Sequence, residues 1–557
     1  MNNEMWLVTC AKNKKTRVKI NYFVIPAAVF LLVISLVLGL LNHSWFCLWP
    51  PLMGLILIIL TRDVVVSLWL AAFGAALVYL QGNWLAAPGF FLDNLLLPSL
   101  TNAWNLQVII FTLLMGGFVA LIEYGRGLEN FINSFLRRFE DKKRGVEFGS
   151  VGLGFLCFFD GLANAMFVGR LVKPLADNCR ISPAKMAYIV DTTSSPLACL
   201  AFVSTWIAYQ LSMIRAGYEQ AGLEVNAYEV FLASIPSNFY CWASLILLLG
   251  VVTLRFWPFK EASYSLGNQA QNSKTVSATK KREKGQGKLK TGGVVGVFIP
   301  VVFLWISILG GLYYSGASET GSLQPVSLAE ALGKAETAKV LVLSAFFATA
   351  LAWVLNGGWT DPLTTSYALK RGMLSLLRPV FILLGAWCLS EGLKALGAAE
   401  LLSQLIGAKV PFWLYPSLVF LGSSLIAFLT GTSWGTMGLV MPLALSVVLG
   451  APLQYGEDFS ATIVAAVFSG AVFGDHCSPL SDTTIVSAMA TGSETLEHVR
   501  TQLPFALIAA GFSLLLGFIP SGLGLGSWCF WGCIAAVLVT VCAKTYFFTQ
   551  KANSEAS

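Results

Sequence analysis

Apolar stretches of about 20 residues recur along the whole chain, and each is long enough to cross a bilayer as a helix. Lipid offers no hydrogen-bond partner to the backbone, so such a chain folds into helices or into a closed barrel. Barrel strands would show alternation of polar and apolar residues over segments of about ten residues. The sequence shows no such alternation. It therefore predicts an all-α polytopic membrane protein.

The hydrophobic pattern predicts about twelve transmembrane helices and two interrupted segments. The interrupted segments, 148–169 and 412–440, contain glycine and polar residues, and we interpret them as re-entrant hairpins or broken helices, with ordinary spans as the alternative. The predicted spans are 22–41, 46–61, 63–80, 106–124, 186–212, 229–252, 293–314, 339–357, 373–392, 459–490, 504–520 and 528–545.

The charge distribution predicts orientation rather than nucleic-acid binding. Only 12% of the 557 residues are charged, whereas soluble domains carry about 25%. The net charge of +7 comes from a few basic loops, which the positive-inside rule assigns to the cytoplasm. We therefore expect a protein of the cell membrane with both termini cytoplasmic. The segments predicted to be cytoplasmic are the tail 1–21, the loop 170–185, the basic linker 258–292 and the tail 546–557.

An internal repeat divides the membrane region into residues 22–257 and residues 293–545. Glu391 follows Glu123 by the same interval at which Pro442 follows Pro174, and an interrupted segment lies between the markers in each half. Counted from a cytoplasmic N-terminus, corresponding helices cross in opposite directions. The pattern predicts an inverted repeat, an architecture of secondary transporters. Plain successive spans are the alternative.

Two related polar runs lie inside apolar stretches, at residues 191–196 and 475–484. An aspartate in lipid costs about 2.5–3.5 kcal/mol, and Pro479 would break a helix and free a backbone carbonyl. We predict that these runs hold a small cation crossing the membrane; buried caps or pairs with an intramembrane base are the alternative. The candidate residues are Asp191, Thr192, Ser195, Asp475, His476, Ser478, Ser481, Asp482 and Thr483.

Polar residues in the two interrupted segments extend this set. Asp160 and Asn164 lie in the first segment, and Thr432, Ser433 and Thr436 lie in the second. Their oxygens suit alkali and alkaline-earth cations, although small hydroxyl residues also serve helix packing in lipid. His476 is interpreted as a proton relay or as a satisfied core histidine.

At these residues the chain resembles the NhaC family of sodium/proton antiporters, over roughly residues 20–520. The motifs that carry the resemblance are Gly431-Thr432-Ser433-Trp434-Gly435-Thr436, the run from Gly474 to Thr484, the run from His498 to Pro504, Asp160-Gly161-Leu162-Ala163-Asn164 and Val168-Gly169. The resemblance implies a secondary transporter with inverted repeats. It leaves the substrate open, because relatives include exchangers of organic acids or amino acids.

The chemistry of buried carboxylates predicts a mechanism. Each such group must hold either a cation or a proton, so sodium and protons would compete for Asp191, Asp475 and Asp482, which are predicted to hold sodium transiently. No cofactor is expected. The expected partners are Na+ and H+ as substrates, the lipid bilayer and, as one option, a second copy of the chain.

Rival functions leave distinct marks on a sequence. A sodium- or proton-coupled exchanger of a small organic acid or amino acid would use the same oxygens together with a basic anchor, for which Arg378 is the candidate. An intramembrane aspartyl protease would need a glycine where the chain has Val472. The chain also lacks a phosphate-binding loop. We therefore expect a transporter rather than an enzyme.

Overall fold

The computed structural model describes residues 25–125, 127, 141–259, 293–319, 331, 334–398, 400–401, 410–450 and 456–525, with scattered positions from 528 to 540. Every regular element within these ranges is helical, as the sequence predicts. The two predicted tails and most of the linker 258–292 and of the predicted span 528–545 lie outside the described residues.

The first half of the chain contains twelve of the described helices. They are α1 (Ile25–Leu41), α2 (Trp49–Thr61), α3 (Val64–Tyr79), α4 (residues 87–101, with a π-helical stretch Phe91–Leu96), α5 (Ala103–Tyr124), α6 (Lys142–Leu156), α7 (Gly161–Asn178), α8 (Pro183–Thr192), α9 (Ser195–Leu200), α10 (Ile207–Gln220), α11 (Ala227–Ser234) and α12 (Phe239–Thr253).

The second half contains nine described helices, the last of which continues through a π-helical stretch, Ser513–Phe518. They are α13 (Gly293–Glu319), α14 (Thr337–Trp353), α15 (Pro362–Ser375), α16 (Leu377–Ala395), α17 (Tyr415–Thr430), α18 (Ser433–Leu449), α19 (Gly456–Cys477), α20 (Asp482–Thr491) and α21 (Thr495–Phe512).

Eight helices in the described ranges are long and apolar enough to cross a membrane, or nine if a pair bent by 47° at Asn238 counts as one span. Two shorter apolar helices, Ile25–Leu41 and Val64–Tyr79, correspond to the predicted spans 22–41 and 63–80. The protein is thus a multi-pass helical membrane protein. Part of the difference from twelve lies in predicted spans that are broken.

The prediction of one continuous span over 186–212 is wrong. The chain forms three helices there, α8, α9 and α10, with breaks at 193–194 and 201–206. Pro196 lies in the first turn of α9, where a missing N–H costs nothing because first-turn donors have no intrahelical acceptor. The predicted span 459–490 also breaks between Cys477 and Asp482, around Pro479. A hydropathy profile does not reveal such breaks, because serine and threonine have hydropathy values near zero.

The interruption predicted within 148–169 is a helical hairpin formed by α6 and α7. The Asn164 Nδ2 atom donates to the Gly154 carbonyl at 2.9 Å. Residues ten apart in one continuous helix would be separated by about 15 Å, so the chain reverses direction between them. Asp160 makes the second arm begin where it does, because its carboxylate caps α7 by accepting from the Ala163 N–H at 2.6 Å.

The second interrupted segment forms a hairpin from α17 and α18. The Tyr415 hydroxyl, at the start of α17, donates to the Ala444 carbonyl near the end of α18 at 3.0 Å, so the two arms lie side by side. Gly431 ends α17 with a φ of 67°, a conformation that favours glycine. Thr432 then caps α18 by accepting from the Gly435 N–H at 3.2 Å.

Each hairpin tip packs on the break of the helix pair that follows it. In the first half Asn164 Nδ2 donates to the Thr193 carbonyl at 2.6 Å. In the second half a Cβ built on Gly431 would lie 2.9 Å from the Leu480 carbonyl oxygen, so only glycine fits there. Both halves therefore contain a hairpin followed by a broken helix, in the order that the predicted repeat requires.

The prediction that residues 170–185 form a loop is wrong, because most of them are helical. Residues 170–178 belong to α7, and Lys185 lies in α8, where its side chain is only 4% exposed. The Lys185 Nζ atom makes a 2.6 Å ion pair with Glu147 of α6, which is itself 3% exposed. The charge is tolerated because a buried ammonium with a hydrogen-bonded carboxylate is compensated. This pair ties the first hairpin to the first broken helix.

Candidate functional site

Asp475 lies in the last turn of α19, just before the break, and is 3% exposed. Its Oδ1 atom accepts from the Ser481 hydroxyl at 2.5 Å, and its Oδ2 atom accepts from Ser195 at 3.0 Å and from Thr483 at 3.2 Å. Ser481 and Thr483 reach back because the chain turns at the break, whereas Ser195 comes from the first broken helix. The carboxylate is thus surrounded by hydroxyls from both halves of the chain.

Asp191 in α8 is fully buried and has a different set of partners. Its Oδ2 atom accepts from Gln502 Nε2 at 2.7 Å and lies 3.3 Å from His498 Nε2. Thr484 Oγ1 lies 3.4 Å from the same oxygen, and Ser487 donates to Oδ1 at 3.3 Å. An amide, an imidazole and two hydroxyls therefore surround this carboxylate.

His476 connects the surroundings of the two carboxylates. Its Nε2 atom lies 3.1 Å from the Thr192 hydroxyl, and its Nδ1 atom lies 2.8 Å from the Tyr240 hydroxyl. Gln502 Nε2, which donates to Asp191, also donates to the His476 backbone carbonyl. Thr484 similarly bridges Asp191 and the Asp475 carbonyl, which it contacts at 3.0 Å.

We call these residues the carboxylate cluster. In the described part of the chain no lysine or arginine forms an ion pair with either of its aspartates. The cluster consists of Asp191, Thr192, Ser195, Tyr240, Asp475, His476, Ser481, Thr483, Thr484, Ser487, His498 and Gln502.

Asp482 lies outside the carboxylate cluster. It is the first residue of α20 and is exposed, and its charge is favoured by the positive end of the helix dipole. Ser478 caps the break locally, since its hydroxyl accepts from the Leu480 N–H at 3.2 Å. The described residues contain no group of three or more His, Cys, Asp or Glu side chains that could hold a metal ion. Hydroxyl and carboxylate oxygens, which suit alkali cations, are the ligands that the cluster offers.

The remaining predicted residues lie at the hairpin tips. Asp160 is half-buried and accepts from the Thr205 hydroxyl at 2.8 Å. Asn164 is buried and binds backbone carbonyls of its own hairpin and of the first break. In the second tip the Thr436 hydroxyl donates to the Thr432 carbonyl at 2.8 Å, and Ser433 is buried beside them.

Five residues of the carboxylate cluster were not among the candidates predicted from the sequence: Tyr240, Thr484, Ser487, His498 and Gln502. His498 and Gln502 lie four residues apart on α21 and therefore share one helix face. Both side chains are fully buried, and the His498 Nδ1 and Gln502 Oε1 atoms have no hydrogen-bond partner among the described residues. The available signal was the run from His498 to Pro504, which contains both residues and carries part of the family resemblance.

Broken helices that surround buried carboxylates inside a multi-pass membrane protein define a transporter of the secondary type. The sequence model of the Na+/H+ antiporter family matches residues 197–522. That match covers more than half of the chain, which therefore belongs to the Na+/H+ antiporter family. The resemblance found in the motifs is confirmed.

Individual relatives support this assignment. An uncharacterised protein of Haemophilus influenzae is 28% identical over 499 residues, covering 86% of this chain and 92% of that protein. The Na(+)/H(+) antiporter NhaC of Alkalihalophilus pseudofirmus is 27% identical over 187 residues, covering 32% of this chain and 37% of that one. The malate-2H(+)/Na(+)-lactate antiporter of Bacillus subtilis is 31% identical over 156 residues, covering 24% of this chain and 32% of that one. The two relatives with named activities are thus matched over about a third of their length.

The fold is also similar to a solved transporter. The crystal structure of the YdaH transporter of Alcanivorax borkumensis superposes with a TM-score of 0.52 at 14% sequence identity, covering 79% of this chain and 88% of that one. At this identity the likeness concerns the fold alone. The matching family model and the two relatives with named activities are antiporters, so the chain belongs to a family of transporters rather than of enzymes.

Gln502→Met should lower the stability of the purified protein. The substitution removes the amide donor from the buried Asp191 carboxylate and from the His476 carbonyl, and losing a hydrogen bond to a charged group costs about 1.5–3 kcal/mol. The measurement is the apparent unfolding temperature in detergent. The matched control is Thr501→Val, because the Thr501 hydroxyl binds only carbonyls of its own helix. Equal unfolding temperatures for the two variants would contradict the assigned role of Gln502.

Proposed function

We propose that this protein exchanges sodium ions for protons by alternating access, with Asp475 as the shared binding group. One observation carries the proposal: the Asp475 carboxylate is buried, and its hydrogen-bond donors are the hydroxyls of Ser195, Ser481 and Thr483. A buried carboxylate without a cationic partner is costly. A sodium ion or a proton would each neutralise it, and one displaces the other.

The hydroxyl donors suit this alternation. A hydroxyl rotates freely, so it donates to the carboxylate at one moment and presents a lone pair to a cation at the next. Ser195 belongs to the first broken helix and the other ligands to the second, so sodium binding would draw the two halves together. Asp191, whose charge is already shared with His498 and Gln502, is proposed as the second carboxylate of the pathway. Asp482 is left out because it is exposed.

The two halves would exchange access by moving relative to one another. Residues 22–257 and 293–545 are proposed as repeats of inverted topology, on the support of the matching hairpins and breaks. The linker 258–292 and the N-terminal tail are proposed to face the cytoplasm of a cell membrane, because basic residues concentrate there, and the C-terminus is proposed to face the same side because the predicted number of crossings is even. If the protein changes access only when a sodium ion or a proton neutralises Asp475, the competition between the two ions becomes an exchange of one for the other.

Asp475→Asn should abolish sodium-driven proton movement, because an amide neither holds a sodium charge nor releases a proton. The measurement uses proteoliposomes that contain a pH-sensitive dye and receive external pulses of NaCl or KCl. Asp482→Asn, which removes a charge seven residues away at an exposed position, should retain most of the signal. Both variants are first checked for wild-type elution from a size-exclusion column. Full activity of Asp475→Asn would refute Asp475 as the binding group. Loss of sodium-driven proton movement in Asp482→Asn alone would assign that role to Asp482.

The apparent KM for sodium should rise as the pH falls. When protons and sodium compete for one group, each pH unit below its titration range raises the KM by about tenfold. The dependence of the apparent KM for sodium on pH is measured in the same vesicles, with equal pH on both sides of the membrane. A KM that stays constant over three pH units while exchange continues would show that sodium and protons use separate groups.

A second candidate function is the exchange of a small organic acid or amino acid coupled to sodium or protons. It is favoured by the similarity to the Bacillus subtilis protein named as a malate and lactate antiporter. The basic residue predicted as its anchor, Arg378, is 55% exposed and lies 3.9 Å from Asp63, and the buried Lys185 is paired with Glu147. The two functions are distinguished by adding radiolabelled malate, lactate or lysine to the same vesicles. Only an exchanger of organic solutes would carry the label across the membrane when a gradient of sodium or protons is applied.

A further inference from the structure

The short helix α20 brings hydroxyl groups to both carboxylates of the cluster. It has ten residues, and a helix of this length is not stable in isolation. Contacts with its surroundings therefore decide where the helix lies. Its start follows the break around Pro479, and its other end, at Thr491, lies against the first hairpin. The hydroxyl groups that it supplies are those of Thr483, Thr484 and Ser487.

Lys173 of α7 binds the C-terminal end of this helix. Its Nζ atom donates to the Thr491 carbonyl at 3.1 Å and lies 3.7 Å from the Asp177 carboxylate of its own helix. The carbonyls in the last turn of a helix have no intrahelical donor, and the helix dipole favours a cation at that end. The ammonium therefore supplies α20 with both a hydrogen bond and a charge of the favourable sign.

Close packing of α7 on α20 leads the lysine to this carbonyl. Gly169 lies one turn before Lys173 on the same face of α7, and a Cβ built on it would lie 2.6 Å from the Cβ of Ala490. A larger residue would push the two helices apart there. Gly492 ends α20 with a φ of 82°, and a Cβ built on it would collide with the Lys173 Nζ atom. The two glycines thus leave the space in which Lys173 reaches Thr491.

The other arm of the same hairpin is tied to the helix that carries Asp191. Glu147 of α6 pairs with Lys185 of α8 at 2.6 Å, and both side chains are buried. The first hairpin therefore contacts α8 through one lysine and α20 through another. These two helices come from the two halves of the chain, and both contribute to the carboxylate cluster. A hairpin that holds them both fixes the distance between them.

We propose that Lys173 is a positioning residue of the carboxylate cluster, which holds α20 where its hydroxyls reach the two aspartates. Loss of the contact with Thr491 would let the end of α20 move away and would weaken sodium binding. That the bound ion is sodium rests on the proposed function. The Lys173 side chain is 31% exposed, and a lysine that only extends its charge into water could be replaced without any effect on sodium. This difference makes the proposal testable.

Lys173→Met tests the proposal, because methionine keeps most of the alkyl chain and removes the ammonium. The apparent KM for sodium and the maximal rate are measured in vesicles that contain the pH-sensitive dye. We expect the KM to rise roughly two- to fivefold, as for the loss of a cation at a helix end, and the maximal rate to change less because the carboxylates remain. Lys173→Arg should recover most of the affinity, since a guanidinium also donates to a carbonyl. A wild-type KM in Lys173→Met would overturn the proposal.

Gly492→Ala reaches the same contact from the other side, because its methyl group would displace the ammonium. The KM for sodium should rise here too. When Lys173→Met and Gly492→Ala are combined, the rise should stay below the product of the two single effects, since both changes break one contact. Effects that multiply fully would contradict the proposal.

Lys394→Met is the matched control, because Lys394 is an exposed lysine in the last turn of another helix, α16. It should keep the wild-type KM, and a rise equal to that of Lys173→Met would show a general effect of charge and overturn the proposal. All variants are first checked for wild-type elution from a size-exclusion column. If Lys173→Met does not pass this check, the comparison of Gly492→Ala with Lys394→Met decides.

Sodium binding is also measured without exchange, by the unfolding temperature of the purified full-length protein as NaCl replaces choline chloride. If the vesicles show no exchange but Lys173→Met needs more sodium than Lys394→Met for half of the stabilisation, the positioning role stands and the proposed exchange fails. If Asp475→Asn abolishes exchange while Lys173→Met binds sodium as the wild type does, the positioning role is refuted and the proposed function stands. If sodium causes neither exchange nor stabilisation, both are refuted.

Discussion

Two aspartates are buried inside this protein, and among the described residues neither has a lysine or arginine as an ion-pair partner. This constraint organises the surrounding architecture. The donors that neutral side chains supply to these carboxylates come from several helices, which continuous helices would hold too far apart. Breaking the helices at 193–194 and 478–481 brings Ser195, Ser481 and Thr483 around Asp475, and lets α21 supply an amide and an imidazole to Asp191. The breaks are the means by which charge is kept at low exposure.

Local features of the fold could be predicted because they follow from neighbouring residues. Asp160-Gly161 and Gly431-Thr432 end one helix and cap the next, and both hairpins fall where the sequence places them. Asp191 and Asp475 were recognisable because charge inside an apolar stretch is expensive. The exposure of Asp482 could not be predicted. Asp482 lies beyond a break that contains proline, and the geometry of that break decides whether Asp475 or Asp482 is buried.

Partners distant in sequence escaped prediction for a related reason. Gln502 lies 311 residues from Asp191, and nothing local in α21 indicates which helix its polar face meets. The partner of Lys185 was also not predictable from the sequence. Counting basic residues predicts that Lys185 lies in a loop, whereas it lies in α8 and is paired with the buried Glu147. The positive-inside rule describes charged residues in loops that face water. It does not apply to a buried basic residue that is paired with an acidic side chain.

The two hairpins act directly on the carboxylate cluster, because each tip packs on one of the helix breaks that form it. Asn164 of the first tip donates to the Thr193 carbonyl, two residues after Asp191, and Gly431 of the second tip lies against Leu480, the neighbour of Ser481. The cluster is lined by hydroxyl groups that come from these breaks, and the packing of the tips holds the breaks in place. A change in the distance between the tips would therefore reach both carboxylates through the Asn164 side chain and the contact between Gly431 and Leu480.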